Sequence, residues 1–110
     1  VVLTREPGGS PGAEAIRDLL MKGSGDRWSA RSEAALFAAA RADHVERVIR
    51  PAIERHAWVI CDRFVDSTRA YQGGSGGLSD DDILSLHRIC CSGLMPERTL
   101  LLQLEPGDAV

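Results

Sequence analysis

Three short apolar runs punctuate the chain, and the stretches between them carry apolar residues at helical spacing. The runs are Val1-Val2-Leu3 leading into Thr4, then Trp58-Val59-Ile60-Cys61, then Thr99 to Leu104, the last dominated by leucine. None of them alternates with polar residues, so each reads as a strand covered on both faces, as parallel strands of α/β proteins are. After the first run, Ser10 can cap a helix with Pro11 at its first position, where a missing N–H does no harm. Ile16, Leu19 and Leu20 supply its apolar face, and it should fade near Gly23-Ser24-Gly25. A longer helix opens at Ser29 or Ser32 and runs to about Glu54, with a bend expected at Pro51, because an internal proline removes a hydrogen bond and crowds the preceding turn. Val45, Ile49 and Ala52 follow core spacing on it. Phe37, Arg41, His44 and Val48 share a second face, which reads either as a core Phe beside a surface Arg or as a shelf for a ligand.

Beyond the second run, Gly73-Gly74-Ser75-Gly76-Gly77 reads as a flexible linker. It is no phosphate-cradling loop, since no Lys-Ser or Lys-Thr follows and no helix opens directly on it. Ser79 and Asp82 make an Asp variant of the capping box, and Asp80 and Asp81 suit the positive end of a helix dipole. Ile83, Leu86 and Cys90 then face the core, and Gly93 and Pro96 close the helix. Strands separated by helices imply a parallel α/β sheet. Asp62 and Arg63 arrive together where the middle strand leaves that sheet, at the carboxyl edge where ligands bind in such folds.

Composition narrows the classes. With 110 residues, 44% of them apolar, and a net charge of -3, the chain fits one globular domain and offers no basic footprint for nucleic acid and no polybasic membrane patch. No apolar run approaches the roughly 20 residues that a membrane helix needs. No signal peptide is recognisable, which makes the cytoplasm the default. Cys61, Cys90 and Cys91 are odd in number and lack C-x-x-C spacing, so they read as reduced, packed thiols rather than a disulfide framework or a zinc site. The sequence opens inside an apolar run without an initiator Met and stops soon after another, as an excerpt of a longer polypeptide would.

Arg5-Glu6-Pro7-Gly8-Gly9, Phe37 with Arg41 on one helix, and Asp62-Arg63-Phe64 leading to Ser67 and Ala70-Tyr71-Gln72-Gly73 stand in the order and spacing of one family. Over essentially all of its length the chain resembles bacterial thymidylate kinase, from that fold's second strand to just beyond its fourth. The resemblance implies a P-loop NTPase-like, three-layer α/β/α fold with a parallel sheet, and residues 1–110 as a single partial nucleoside monophosphate kinase domain. It implies transfer of the γ-phosphoryl group of ATP to dTMP, giving dTDP, with Mg²⁺ as cofactor and a homodimeric protein. In that reading Arg63 grips the dTMP phosphate with two parallel hydrogen bonds and Arg5 adds to the clamp. Asp62 holds Mg²⁺ or its waters, and Glu6 is a second carboxylate near the metal. Phe37 stacks on thymine, Arg41 meets a base carbonyl, Ser67 and Thr68 lie at the base edge, Tyr71 packs on the sugar, and Gln72 lies near the nucleotide.

The same likeness makes dTMP preferred over dUMP by one methyl group, about 1 to 3 kcal/mol in a fitted pocket, and over CMP by more, because an Arg facing an amino group leaves donors unpaired. Four positions depart from the family pattern: Phe64 where Tyr or His is usual, Gly76 where Arg is common, His56 where a helix-ending Gly is common, and Gln103 where the fourth strand often has Asp. The G-x-x-x-x-G-K-[ST] loop and the lid are not in the sequence, so ATP-binding residues are not assigned. With the family's sheet order of second, third, first, fourth, fifth, Val59 and Leu101 should not hydrogen-bond to each other. Two other readings remain: a kinase for another deoxynucleoside monophosphate, and a noncatalytic nucleotide-binding or dimerisation module.

Overall fold

Two parallel strands hold the centre of the computed structural model, which describes residues 1–22, 27–103 and 107. β1 (Val2–Arg5) pairs with β2 (Val59–Asp62) in a register that sets Val2 beside Val59 and Arg5 beside Asp62. The ladder continues one step past each end, with Val2 N–H donating to the Trp58 carbonyl at 2.7 Å and Glu6 N–H to the Asp62 carbonyl at 2.9 Å. The charged pair Arg5 and Asp62 therefore leaves the sheet together, and Glu6 and Arg63 follow immediately on the same edge. Burial alternates along both strands: Val2 and Val59 turn inward, while Leu3 and Ile60 face out and are exposed. The unbroken apolar runs suggest cover on both faces; among the described residues, cover is on one.

The third strand expected over Thr99 to Leu104 is not formed among the described residues. Residues 99–103 have no regular structure, Leu100, Leu101 and Leu102 are 82%, 81% and 93% exposed, and Leu104 lies outside the described residues. β2 bonds to β1, and no bond joins Val59 to Leu101. A strand exists by pairing, and in the sheet order implied by the resemblance the neighbour of this segment is the first strand, which is not among these residues.

Helices pack on the covered face. α1 (Pro11–Met21) starts with Pro11 in its first turn as expected, but the Ser10 hydroxyl does not cap it; it donates instead to Asp43 Oδ2 at 2.6 Å, tying the entry of α1 to α2. That bond, with Arg47 alongside, holds the Asp43 carboxyl below its usual range. Of the α1 positions only Ala13 is buried, and Leu19 stays exposed. The end expected near Gly23-Ser24-Gly25 falls outside the described residues, beyond Lys22.

α2 (Ala30–His44) opens on Ser29, whose side chain accepts from Ser32 N–H. It continues through a π-helical turn, Val45–Ile49, into α3 (Arg50–Glu54). The irregularity expected at Pro51 is thus taken up before it: the backbone widens over the preceding turn, where the proline ring would otherwise crowd a carbonyl. Val45, Ile49 and Ala52 are buried, as their spacing requires. Val45 and Ile49 meet Cys91, with Val59, Phe64 and Leu94 packed around them.

After β2 comes α4 (Val65–Thr68), and the helix then runs on as π turns through Arg69–Ser75. Gly73 to Ser75, expected as linker, belong to that helical segment. A side chain on Gly76 would place Cβ 2.5 Å from the Gln72 carbonyl oxygen and 2.9 Å from Ala30 Cβ, so the Arg common in the family has no room here. α5 (Asp80–Cys91) carries the expected box, with Ser79 Oγ accepting from Asp82 N–H at 3.1 Å. Its core stripe is Ile83, His87 and Cys91 rather than Ile83, Leu86 and Cys90; the latter two are only half-buried. Arg69 reaches across to Asp80 through Nε at 2.8 Å and Nη2 at 2.9 Å, pinning the π segment to the start of α5.

Candidate functional site

The carboxyl edge of the sheet, the inner face of α2 and the segment after β2 enclose a small cavity of about 70 Å³. Its walls bring together Glu6, Phe37, Arg41, Arg63, Ser67, Thr68, Tyr71 and Gln72, eight of the ten residues that the sequence singles out. Pro7, Met21 and Phe64 complete the lining. The Tyr71 ring on its rim is more than half exposed. Arg5 and Asp62 are not part of this wall. They line a wider, open groove with Leu3, Thr4 and Gly9 on the neighbouring part of the edge.

Arg41 is the best anchored group. Its side chain is 5% exposed, and its Nε donates to Glu6 Oε1 at 2.6 Å. Nη2 donates to Thr68 Oγ1 at 3.1 Å and to the Phe64 carbonyl at 3.3 Å. Nη1, with two further hydrogens, has no hydrogen-bond partner among the described residues, and Arg41 lines the cavity. The guanidinium carbon lies 5.3 Å from the Phe64 ring centroid, and the other side of that story is His87, whose ring meets Phe64 edge-on at 5.5 Å. Phe64 thus has no hydroxyl to offer, but it packs under the arginine and fixes its height.

Glu6 is buried between the end of β1 and α2. Both carboxylate oxygens are engaged, Oε1 by Arg41 and Oε2 by His44 Nδ1 at 2.8 Å, and the residue is buried. Each oxygen is thus taken up by a side chain of α2, and Glu6 is the buried counter-charge of Arg41. Glu6, His44 and Cys61 do bring one potential ligand atom each within 4.8 Å of the others. Yet the His44 ring nitrogens both have partners, and burial, reinforced by the Glu6 charge, pushes the Cys61 thiol up to about 12. Cys61 keeps its proton, and its Sγ donates to the Arg63 carbonyl at 3.1 Å. A metal ligand requires the opposite state. Asp62 fits better: it is exposed, in open space at the strand end, and one carboxylate is enough for a Mg²⁺ that keeps most of its waters.

Arg63 sits at φ 68°, a left-handed backbone that a side chain rarely adopts. It makes no ion pair among the described residues, and its guanidinium carbon lies 5.7 Å from the Tyr71 ring centroid. Among the described residues Arg63 pairs with neither Asp62 nor Asp66; Asp66 pairs with Arg69. Arg5 is half engaged, 3.4 Å from Glu14. Thr68, expected at the base edge, is buried with its hydroxyl accepting from Arg41, and Gln72 Nε2 donates to Glu33 at 3.0 Å while lining the same cavity. Thr4 carries no candidate role in the sequence, and His44 only its place on the helical face shared with Phe37 and Arg41. The signal available was the position of His44 three residues after Arg41, on the same helical face.

Comparison with known proteins points one way. The whole chain, residues 1–110, matches the family model described as thymidylate kinase. It is 65% identical over 109 residues to a thymidylate kinase of Rhizorhabdus wittichii, covering 99% of this chain and 52% of that protein. To a thymidylate kinase of Caulobacter vibrioides it is 57% identical over 104 residues, covering 94% and 50% respectively. The crystal structure of thymidylate kinase from Ehrlichia chaffeensis superposes with a TM-score of 0.75 at 43% identity, over 81% of this chain and 46% of that one. The chain spans about half the length of the curated relatives it matches.

Proposed function

The chain belongs to the thymidylate kinase family, and from that premise we propose that the protein transfers the γ-phosphoryl group of ATP to dTMP, giving dTDP, with these residues holding the dTMP. Residues 1–110 are then part of one nucleoside monophosphate kinase domain of the P-loop NTPase fold. A homodimeric, cytoplasmic protein belongs to the same proposal. The observation that carries it is the convergence of Phe37, Arg41, Arg63, Thr68 and Tyr71, from three separate elements, on one cavity at the carboxyl edge of the sheet.

Phosphoryl transfer asks mainly for positioning and charge neutralisation. Phe37 stacks on the base, contributing on the order of 1 kcal/mol beyond area burial. Arg41 offers Nη1 to a ring carbonyl, its other donors being spent on Glu6, Thr68 and Phe64. Ser67 and Gln72 flank the base, and Tyr71 closes over the sugar, where it disfavours a 2'-hydroxyl. Arg63, free of carboxylate partners and already resting over Tyr71, swings onto the acceptor phosphate, and Arg5 supports it from the neighbouring groove. Asp62 is the residue that would hold Mg²⁺, which supplies charge neutralisation between the two phosphates when bound.

Phosphorylation assays with the protein as its gene encodes it, using dTMP, dUMP and CMP as acceptors, test this reading. dTMP should be preferred over dUMP by about tenfold or more. CMP as the preferred acceptor would overturn it.

A further inference from the structure

Behind the cavity wall runs a row of four side chains, two of which, Glu6 and Arg41, also line the cavity. Thr4 Oγ1 is 2.6 Å from His44 Nε2, His44 Nδ1 is 2.8 Å from Glu6 Oε2, and Glu6 Oε1 is 2.6 Å from Arg41 Nε. His44 is fully buried, and it stands one turn after Arg41 on α2, while Thr4 and Glu6 flank the end of β1. The row therefore crosses from sheet to helix and back. From this geometry we propose that His44 is a positioning residue: with Thr4 it locks the Glu6 carboxylate, which fixes the plane of the Arg41 guanidinium and so decides which acceptor on the pyrimidine ring Nη1 can meet.

Three features support the brace. A carboxylate held only by Arg41 can rotate about its terminal bond, whereas one held at both oxygens by partners on the same helix cannot. A guanidinium is planar, so fixing Nε and Nη2 fixes the direction of the free Nη1 as well. The loop after β1 closes on the same atoms: a Cβ on Gly9, whose φ is 93°, would lie 2.5 Å from His44 Nε2 and 2.8 Å from Thr4 Oγ1. Gly9 is thus required both by its backbone and by the His44 ring. With Nδ1–H donated to Glu6, Nε2 accepts from the Thr4 hydroxyl, and Thr4, His44 and both Glu6 oxygens have partners within the row.

This rests on the proposed dTMP reading, and the test separates the two. His44→Asn keeps a donor where Nδ1 stands; His44→Phe keeps the ring and removes both nitrogens. In the protein as its gene encodes it, His44→Phe should raise KM for dTMP at least about tenfold while kcat falls less, and should narrow the dTMP to dCMP selectivity by a similar factor. His44→Asn should restore most of both. Independently of any substrate, the Arg41 Nε–H proton resonance should show slow solvent exchange in the native protein and in His44→Asn, and fast exchange in His44→Phe. Slow exchange in all three, or an Asn variant no better than Phe in KM and selectivity, overturns the brace. If the native protein neither binds nor phosphorylates dTMP, the substrate reading fails while the Arg41 resonance still decides whether the brace exists.

Discussion

Arg63 gives the sharpest expectation, because its backbone and its side chain pull in opposite directions. At φ 68° it occupies the left-handed region, which costs a residue bearing Cβ roughly 1 to 2 kcal/mol. Glycine pays no such strain but loses roughly 0.5 to 1 kcal/mol more chain entropy on folding than alanine does. At an ordinary position alanine is the more stabilising of the two. Here the balance reverses, and Arg63→Gly should be more stable than Arg63→Ala by about 0.5 to 1 kcal/mol, a difference of about 2 to 6 °C in Tm. Both variants lose the weak stacking of the guanidinium over Tyr71, so it cancels in the comparison. On the proposed reading both should also lose phosphoryl transfer to dTMP, since Arg63 would be the group on the acceptor phosphate. Parallel thermal melts of the two variants, with turnover measured on the same preparations, decide the matter. If Arg63→Ala melts at or above Arg63→Gly, the strain is not there. If either variant keeps native turnover, Arg63 does not hold the phosphate.

Other expectations follow from the same geometry. His56, also left-handed at φ 62° and placed where the family commonly ends this helix with Gly, should gain about 0.5 to 1 kcal/mol on replacement by Gly, read as a higher urea midpoint; a lower midpoint would refute it. Glu6→Ala leaves Arg41 buried without its counter-charge and should cost about 3 to 5 kcal/mol in denaturant unfolding; a loss under about 1 kcal/mol would mean the pair carries little. Cys61, whose thiol is pushed up to about 12 by burial and then by Glu6, should be alkylated at neutral pH at least about a hundredfold more slowly than free cysteine. Its raised value contributes stability that is whole below pH 9 and is lost as pH climbs towards 12, so Cys61→Ser should flatten the alkaline decline of the urea midpoint.

Most of the cavity wall is legible in the sequence because it is made of residues carried on regular elements at fixed spacing. Phe37 and Arg41 share a helical face, and Asp62-Arg63 mark the end of a buried run, so their placement follows once the elements are drawn. What escapes is set by tertiary geometry. Glu6 looks like a free carboxylate beside the metal until α2 brings Arg41 and His44 against both its oxygens. Ser10 looks like a cap until Asp43 takes its hydroxyl. The apolar Thr99 to Leu104 run has strand composition, but pairing needs a neighbour, and residues 99–103 have none. The π turns through Arg69–Ser75, which carry Tyr71 and Gln72 to the cavity, have no periodic signature, since five glycine and serine residues in a row read as a linker.

A crystal structure of the protein with dTMP goes to the heart of the matter. Thymine should lie against Phe37 with a ring carbonyl on Arg41 Nη1, the sugar beneath Tyr71, and the phosphate on Arg63. A nucleotide bound elsewhere, or one whose base leaves Phe37 and Arg41 untouched, would contradict it.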